Sequence, residues 1–578
     1  MSRFVVLLVV LSSLFGCGQQ QSGTIGGACT QDPDCTSPSG CAGGDYFPDG
    51  YCTIDCTDRV CPDGSVCTLI KDRTFCTKSC STKDDCRSGY QCFNSTCVPG
   101  CSTDPDCGRG FRCDAGQCVV QSGFPIGTAC ANDEECSSRL CLDSVCELPC
   151  SADTMCGDGK TCVANRRENT VLFLCANRRG TAAPASACAR DGDCDRGVCQ
   201  FGACVELCAT TQSCHAQSMT CSRLQIAAND GTAVDYRGCL PTRAMLDFEP
   251  DENALVSGLV SLPEHARSFA IYLDVPNYDL NTLVGVTRLE DLSGTAVYTQ
   301  PNSVQDFYSA AIRYQLERGT STMLVPNAPA RFTPMAGAYF ATTATSARGV
   351  EPKERVYLKV SSAPITTGNV SLNFYVTDLS AACLKLTATS GRNGALNGAI
   401  STVRSIYQQI GVTIDEVTWN STTVANVVRA SQNGQTVTGP DSLESVLQAA
   451  TSGRTTKPGF DVVLVRDITD PAGNQNGILG ISGGIPSSPI LGTPHSGVVV
   501  SISTACGANG QNYLAAVLAH EVGHSTGLFH NEESDGSEDP LTDTPKGRTN
   551  LMFWSEEGGT TLSPQQGQVV RGDPKIRF

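Results

Sequence analysis

The sequence predicts a multidomain protein with three textures: disulfide-rich small repeats, then a β-sandwich-like domain, then an α+β domain. Of 35 cysteines in 578 residues, 32 fall between Cys29 and Cys239. Apolar and polar residues then alternate in runs separated by turn residues, as in half-buried strands. Towards the C-terminus, helical stripes and short apolar runs follow one another, the mark of helices and strands sharing one core. Boundaries drawn on these changes are 1–17 for a leader, 18–28 for a linker, 29–239 for the repeats, 240–380 for the β-rich domain and 381–578 for the last domain.

The leader sets the expected address. Arg3 precedes an apolar run at 4–11 that is too short to span a bilayer comfortably. The run leads to Leu14, Phe15, Gly16 and Cys17, which resembles a bacterial lipoprotein processing site and implies lipidation of Cys17. Gly18 after the cysteine favours outer-membrane sorting by the same analogy. The expectation is a lipid-anchored protein of the bacterial cell envelope, at the outer membrane or cell surface. The alternative is cleavage elsewhere and plain secretion.

Next come the repeats. Cys29–Cys35, Cys80–Cys86, Cys101–Cys107, Cys130–Cys136, Cys150–Cys156 and Cys188–Cys194 each enclose five residues, mostly around an acidic stretch. Such density persists as disulfides only in an oxidising compartment, and the gaps are wrong for the paired Cys-x-x-Cys of zinc ribbons. The cysteines fall into four groups of eight, at 29–76, 80–118, 130–175 and 188–239. Each group has too few large apolar residues for an ordinary core, so bridges must replace it, in a connectivity the sequence leaves open. The modules read either as a recognition surface or, more simply, as a stiff stalk.

In the β-rich stretch, Phe269, Ile271, Leu273 and Val275 alternate, as do Val356, Leu358 and Val360, and Val370, Leu372, Phe374 and Val376. No ligand-bearing feature appears there, so a spacer, a substrate-binding module and a shield over the site all stay open. After 381, the positions Leu396, Ala399, Ile400, Val403 and Tyr407 form a helical stripe. The runs 412–414, 461–465 and 496–502 read as strands, with a helix near 442–450. Cys383 and Cys506, the only cysteines in this last part, form a candidate disulfide.

The most telling residues come late. Three of six histidines, His520, His524 and His530, lie within eleven residues that also hold Glu521 and Gly527. The approach, at 513–519, is rich in helix formers. A helix puts His520 and His524 one turn apart on one face, where both can reach one metal ion. Gly527 then ends the helix in a left-handed conformation, and the chain turns back to deliver His530. Three imidazoles leave one tetrahedral position open, the layout of a catalytic Zn2+ ion. Glu521 is placed as general base for the water at that position.

This spacing resembles the extended zinc motif of the metzincin metallopeptidases at every fixed position. Met552 resembles their methionine turn beneath the metal. Within the metzincins, the segments 541–545 and 562–571 look like elements of the pappalysin-type group. The resemblance implies a zinc endopeptidase acting on protein or peptide substrates, with the strand at 496–502 edging the cleft. Trp554 stands where related enzymes often carry a tyrosine; its indole cannot ligate metal, so it receives no catalytic role. Asp535, Glu538, Asp539 and Asp543 could hold Ca2+, which the resemblance allows, although a solvated acidic loop is the simpler reading. His215, His265 and His495 are isolated and read as structural or surface residues.

A net charge of −17 argues against nucleic acid as a partner and against basic attraction to anionic lipid. The competing function is a surface adhesion or binding lipoprotein acting through the cysteine-rich modules, with the peptidase domain latent or subsidiary. An intact glutamate beside three ligands weighs against it, because a binding scaffold has no chemical need for that carboxylate.

Overall fold

The computed structural model describes residues 23–578, apart from 101–110, 250–258, 381–393 and shorter stretches. Cys17, Cys383 and His215 lie outside the described residues. The chain divides into two compact units: Met1–Val163 with Phe173–Asn177 and Leu207–Cys214, and Ala164–Leu172 with Arg178–Glu206 and His215–Phe578. No helix of the described residues is long and apolar enough to cross a membrane.

The described repeats pair their cysteines first to third and second to fourth. Cys29 joins Cys41 and Cys35 joins Cys52; Cys56 joins Cys67 and Cys61 joins Cys76. The same pattern recurs in Cys130–Cys141 with Cys136–Cys146, and in Cys188–Cys199 with Cys194–Cys204. The structural unit is therefore four cysteines, half the grouping that spacing suggested, because each set closes on itself. Where the residues between the first two cysteines are described, they hold a 3-10 turn, such as Asp32–Asp34 or Asp191–Asp193. The acids of that turn serve the backbone. Asp34 accepts from the Thr30 N–H at 2.7 Å, and Asp32 from the Cys41 N–H at 2.8 Å. Glu135 and Asp133 repeat this with Ala131 and Cys141, and Asp193 and Asp191 with Ala189 and Cys199. In modules this small, these carboxylates satisfy N–H groups that no extended sheet or helix pairs.

The second unit carries two antiparallel sheets. One has the order β1 (Arg243–Phe248), β9 (Lys353–Ser361), β3 (Ala266–Asp274), β7 (Thr320–Val325). The other joins β2 (Leu259–Leu262), β8 (Gly337–Thr345), β4 (Leu283–Asp291) and β5 (Ala296–Thr299), with β6 (Glu317–Arg318) also on β4. They meet through rings such as Phe269 and Tyr339, 6.0 Å apart. A short helix, α1 (Val304–Ser309), follows β5.

A mixed five-stranded sheet follows. Its order is β11 (Val412–Ser421), β10 (Gly368–Val376), β13 (Gly459–Val465), β16 (Val498–Ser501), β15 (Gly480–Ser482). The first four strands run parallel and β15 antiparallel. Helices α2 (Gly394–Gln408) and α4 (Gly510–Ser525) cover one face, while α3 (Leu443–Thr451) packs with Tyr375, Val463 and Val499 on the other. The stripe from Leu396 to Tyr407 is buried against Val370, Leu372 and Phe374.

Two sequence expectations change here. The run at 370–376, grouped with the β-rich stretch, is an interior strand of the mixed sheet. Its polar alternates are buried too: Asn373 and Tyr375 both donate to the Asp461 carboxylate at 3.0 Å, so the alternation is not a water-facing pattern. The strand at 498–501 lies inside the sheet, and β15 rather than β16 is the last described strand on that side.

The first of the β-rich sheets and the mixed sheet share one core. Ala270, Tyr272, Leu324 and Tyr357 belong to the same buried cluster as Leu514, Leu518, Val522 and Met552. The C-terminal residues lock the two parts. The buried Lys359 ammonium donates to the Arg571 and Ile576 carbonyls at 2.6 and 2.7 Å. Buried Lys575 donates to the Ser525 carbonyl at the end of α4 and to Asp573.

A fragment beginning at 381 lacks β10, so β11 and β13 lose the strand that joins them. It is expected to show no cooperative thermal transition by circular dichroism, unlike the full chain. Non-reducing peptide mapping should recover Cys29–Cys41 and Cys35–Cys52; a Cys29–Cys35 link would contradict the four-cysteine unit.

Candidate metal centre

Helix α4 is anchored by Leu514, Ala515, Leu518, Ala519 and Val522 in the shared core, and Tyr407 of α2 donates to the Ala519 carbonyl at 2.8 Å. Its end is a Schellman motif. The Leu528 N–H reaches back to the Gly523 carbonyl at 3.0 Å and the Gly527 N–H to that of His524 at 2.9 Å. Gly527 has φ +98°, and a side chain there would stand 2.9 Å from Leu324. The turn thus demands glycine twice, for its conformation and for its packing.

The three histidines predicted as ligands come together. His530 Nε2 lies 3.3 Å from His520 Nε2 and 3.1 Å from His524 Nε2. Each outer nitrogen has an acceptor. His520 Nδ1 donates to the Leu551 carbonyl at 2.8 Å, His524 Nδ1 to the Leu528 carbonyl at 2.7 Å, and His530 Nδ1 to the Glu533 carboxylate at 2.8 Å. A carbonyl or carboxylate accepts only, so each Nδ1 carries the proton and each Nε2 a lone pair. Burial also pushes His520 down to about 4 and His524 well below the ordinary imidazole value, which keeps those two rings neutral. Three lone pairs facing one another repel unless a cation lies among them. Ligands of a tetrahedral zinc at 2.0–2.1 Å would be about 3.3 Å apart, so the residues fit that ion.

Glu521 is buried beside them and accepts from the Ser482 N–H. Gly480 of β15 lies directly over it: a Cβ there would come within 2.5 Å of Glu521 Cγ. Met552 is fully buried under α4, and a Cβ on Gly523 would meet its sulfur at 2.5 Å. The turn around Met552 therefore supports the helix from below while its Leu551 carbonyl orients His520. A cleft of about 460 Å³ opens over these residues, lined by Leu479, Ile481, Val517, Leu551 and Trp554 among others. Trp554 is 45% exposed at its rim.

The other expected residues lie outside this cluster of histidines. Asp535 accepts from the Ser537 N–H and Glu538 pairs with Lys546, while Glu538 and Asp543 both lie near enough to Asp539 for their charges to act on it. Burial pushes Asp539 up to about 7. Asp543 accepts from the Gln565 N–H at 3.0 Å. Cys506 is disulfide-bonded; Cys383, the partner expected for it, is outside the described residues. His495 is buried between the carbonyls of Gly483 and Arg318, a structural role.

Glu533 escaped the sequence reading. A carboxylate three residues beyond the third spaced histidine was the available signal, but the acidic run around it hid which member mattered. Burial alone would raise its pKa, yet the His530 hydrogen bond, Tyr308 and the Arg313 guanidinium together hold it below the ordinary carboxylate value.

No family model matches the chain. No curated protein matches it either. Similar solved structures include archaemetzincin from Methanopyrus kandleri, at 14% identity and TM-score 0.23, covering 35% of this chain and 94% of that one. Metalloproteinase-II from Bacteroides fragilis matches at 12% identity and TM-score 0.23, covering 38% of this chain and 63% of that one.

Replacing Gly527 by alanine is expected to destabilise the chain by about 1–2 kcal/mol from the left-handed backbone alone, read as a lower denaturant midpoint. An unchanged midpoint would show that the turn tolerates a side chain.

Proposed function

We propose that this chain is an extracytoplasmic zinc endopeptidase of the metzincin kind, cleaving protein or peptide substrates and tethered by lipid at Cys17. The reading is carried by three Nε2 lone pairs converging beside a buried carboxylate in an open cleft. His520, His524 and His530 would hold the zinc ion, which when bound supplies Lewis acidity to the scissile carbonyl and to a water molecule. Glu521 accepts the proton of the attacking water and returns it to the leaving amine. Burial pushes Glu521 up to about 8 against the opposing Ser482 N–H, and a cation among the imidazoles draws that value down again. Such a group can take and give a proton near neutral pH. The Ser482 N–H aims the carboxylate, and β15 offers an outer strand edge on which an extended peptide can add.

The finer likeness to the pappalysin-type group draws support from the contact between its two elements: Asp543 caps the start of α5 (Pro564–Gly572) through Gln565. Zinc is the one cofactor this chemistry needs. The disulfide framework supports an extracytoplasmic address, and the residues at 14–17 support the lipid anchor. The rival surface-binding reading needs acids that face a ligand, whereas those of the repeats accept their own backbone N–H groups.

The test compares the disulfide-intact protein with its Glu521→Gln variant for zinc content and for cleavage of a diverse peptide library. Equal zinc in both and a rate lower by about 10²–10⁴-fold in the variant are expected. Equal cleavage by the two would remove Glu521 from the mechanism.

A further inference from the structure

His530 is held differently from the other two imidazoles. His520 and His524 donate to backbone carbonyls, of Leu551 and Leu528, fixed by a buried turn and by the end of the helix. His530 donates to a side chain, Glu533, on an irregular stretch beyond α4. A glutamate has rotamers to lose, so aiming it costs entropy unless neighbours restrict it. The chain entering this stretch is held from the β-rich part of the same compact unit. Phe307 of α1 meets the Phe529 ring edge-on, with centroids 5.4 Å apart. The buried Arg313 guanidinium stands over the same ring at 4.1 Å. Arg313 is itself fixed through its backbone by Asn327, which accepts from the Arg313 N–H at 2.9 Å and donates to its carbonyl at 2.5 Å. Phe529 directly precedes His530, so the stack fixes the chain where the third ligand leaves it.

We propose that Glu533 is a positioning residue for His530, and that the segment 304–313, outside the catalytic sheet, sets the pair through Phe529. The β-rich sheets then belong to the metal centre as a supporting wall, rather than serving as a spacer or a detachable shield. The inference rests on the zinc reading of the three histidines. Carboxylate support of a metal-bound imidazole fixes its tautomer and ring orientation, and its loss typically weakens metal binding 10–100-fold.

The experiment uses the full chain, metal-free, with Glu533→Gln, Phe307→Ala and the double variant. Zinc affinity is read by competition with a chromophoric chelator, and site geometry by the visible absorption of the Co2+-substituted protein. Thermal unfolding of each metal-free protein serves as the check on folding. Glu533→Gln is expected to bind zinc about 10–100-fold more weakly and to alter the cobalt spectrum, with little change in the metal-free midpoint. Phe307→Ala should weaken binding several-fold alone and by less beside Glu533→Gln, because both act through one imidazole. Wild-type affinity and an unchanged cobalt spectrum in Glu533→Gln would overturn the positioning role. Unaltered binding in Phe307→Ala, or full additivity, would overturn the part assigned to the β-rich segment. Absence of metal binding by the unaltered chain would instead sink the zinc reading, and this inference with it.

Discussion

Three imidazoles commit their outer nitrogens to acceptors and turn their inner lone pairs on one point. That constraint explains much of the C-terminal architecture. Each acceptor comes from a different device: the helix-ending turn at Gly527 supplies the Leu528 carbonyl, the turn at Met552 supplies that of Leu551, and the following loop supplies Glu533. Left without a cation, the arrangement would bury mutually repelling lone pairs; with one, every polar atom of the three rings has a partner. The same logic places glycine at 480, 523 and 527, where any side chain would meet Glu521, Met552 or Leu324.

Holding such a cluster requires a wall that does not yield. The core that buries α4 runs from the mixed sheet into the β-rich sheet of β1, β9, β3 and β7, and the C-terminal residues cross between them. Lys359 and Lys575 both bury their amines, a costly arrangement unless the donors are satisfied, and burial pushes Lys359 down to about 7. Each finds carbonyl acceptors, and Lys575 finds the carboxylate of Asp573 as well. The same C-terminal stretch pairs with β10, Asn369 and Arg577 exchanging backbone hydrogen bonds at 2.7 and 2.8 Å.

What the sequence made legible was local. The histidine spacing, the glycine between ligands and the buried stripe of α2 follow from helical periodicity, which needs no distant partner. The place of β10 in the mixed sheet was not legible, because the strand is buried on both faces while its composition alternates, the odd face being polar yet paired with Asp461. A similar clue went unused at 269–273, where Ala270 and Tyr272 fill the gaps between Phe269, Ile271 and Leu273; that unbroken run marks a strand covered on both sides. The strand β15 spans three residues among glycines and leaves almost no periodic signal. Glu533 and the segment behind it depend on contacts over 200 residues away in sequence, which no local pattern encodes.

The repeats and the C-terminal part solve the same problem by opposite means. In the repeats, where the described clusters are as small as Phe47, Tyr51, Ile70, Phe75 and Tyr90, covalent bridges and inward-turned carboxylates replace a large core. In the C-terminal part, a continuous apolar core carries the load. Acid protonates the carboxylates that cap the repeats: the backbone hydrogen bonds to Asp34, Asp85 and Asp193 hold their pKa values below the ordinary one, so the stabilisation they give is present above that value and fades as pH falls through the lowered one. The bridges do not titrate, so the repeats keep their covalent frame where those hydrogen bonds are lost. The repeats thus back their titratable contacts with covalent closure, whereas the C-terminal part owes its rigidity to apolar burial, which acid does not remove.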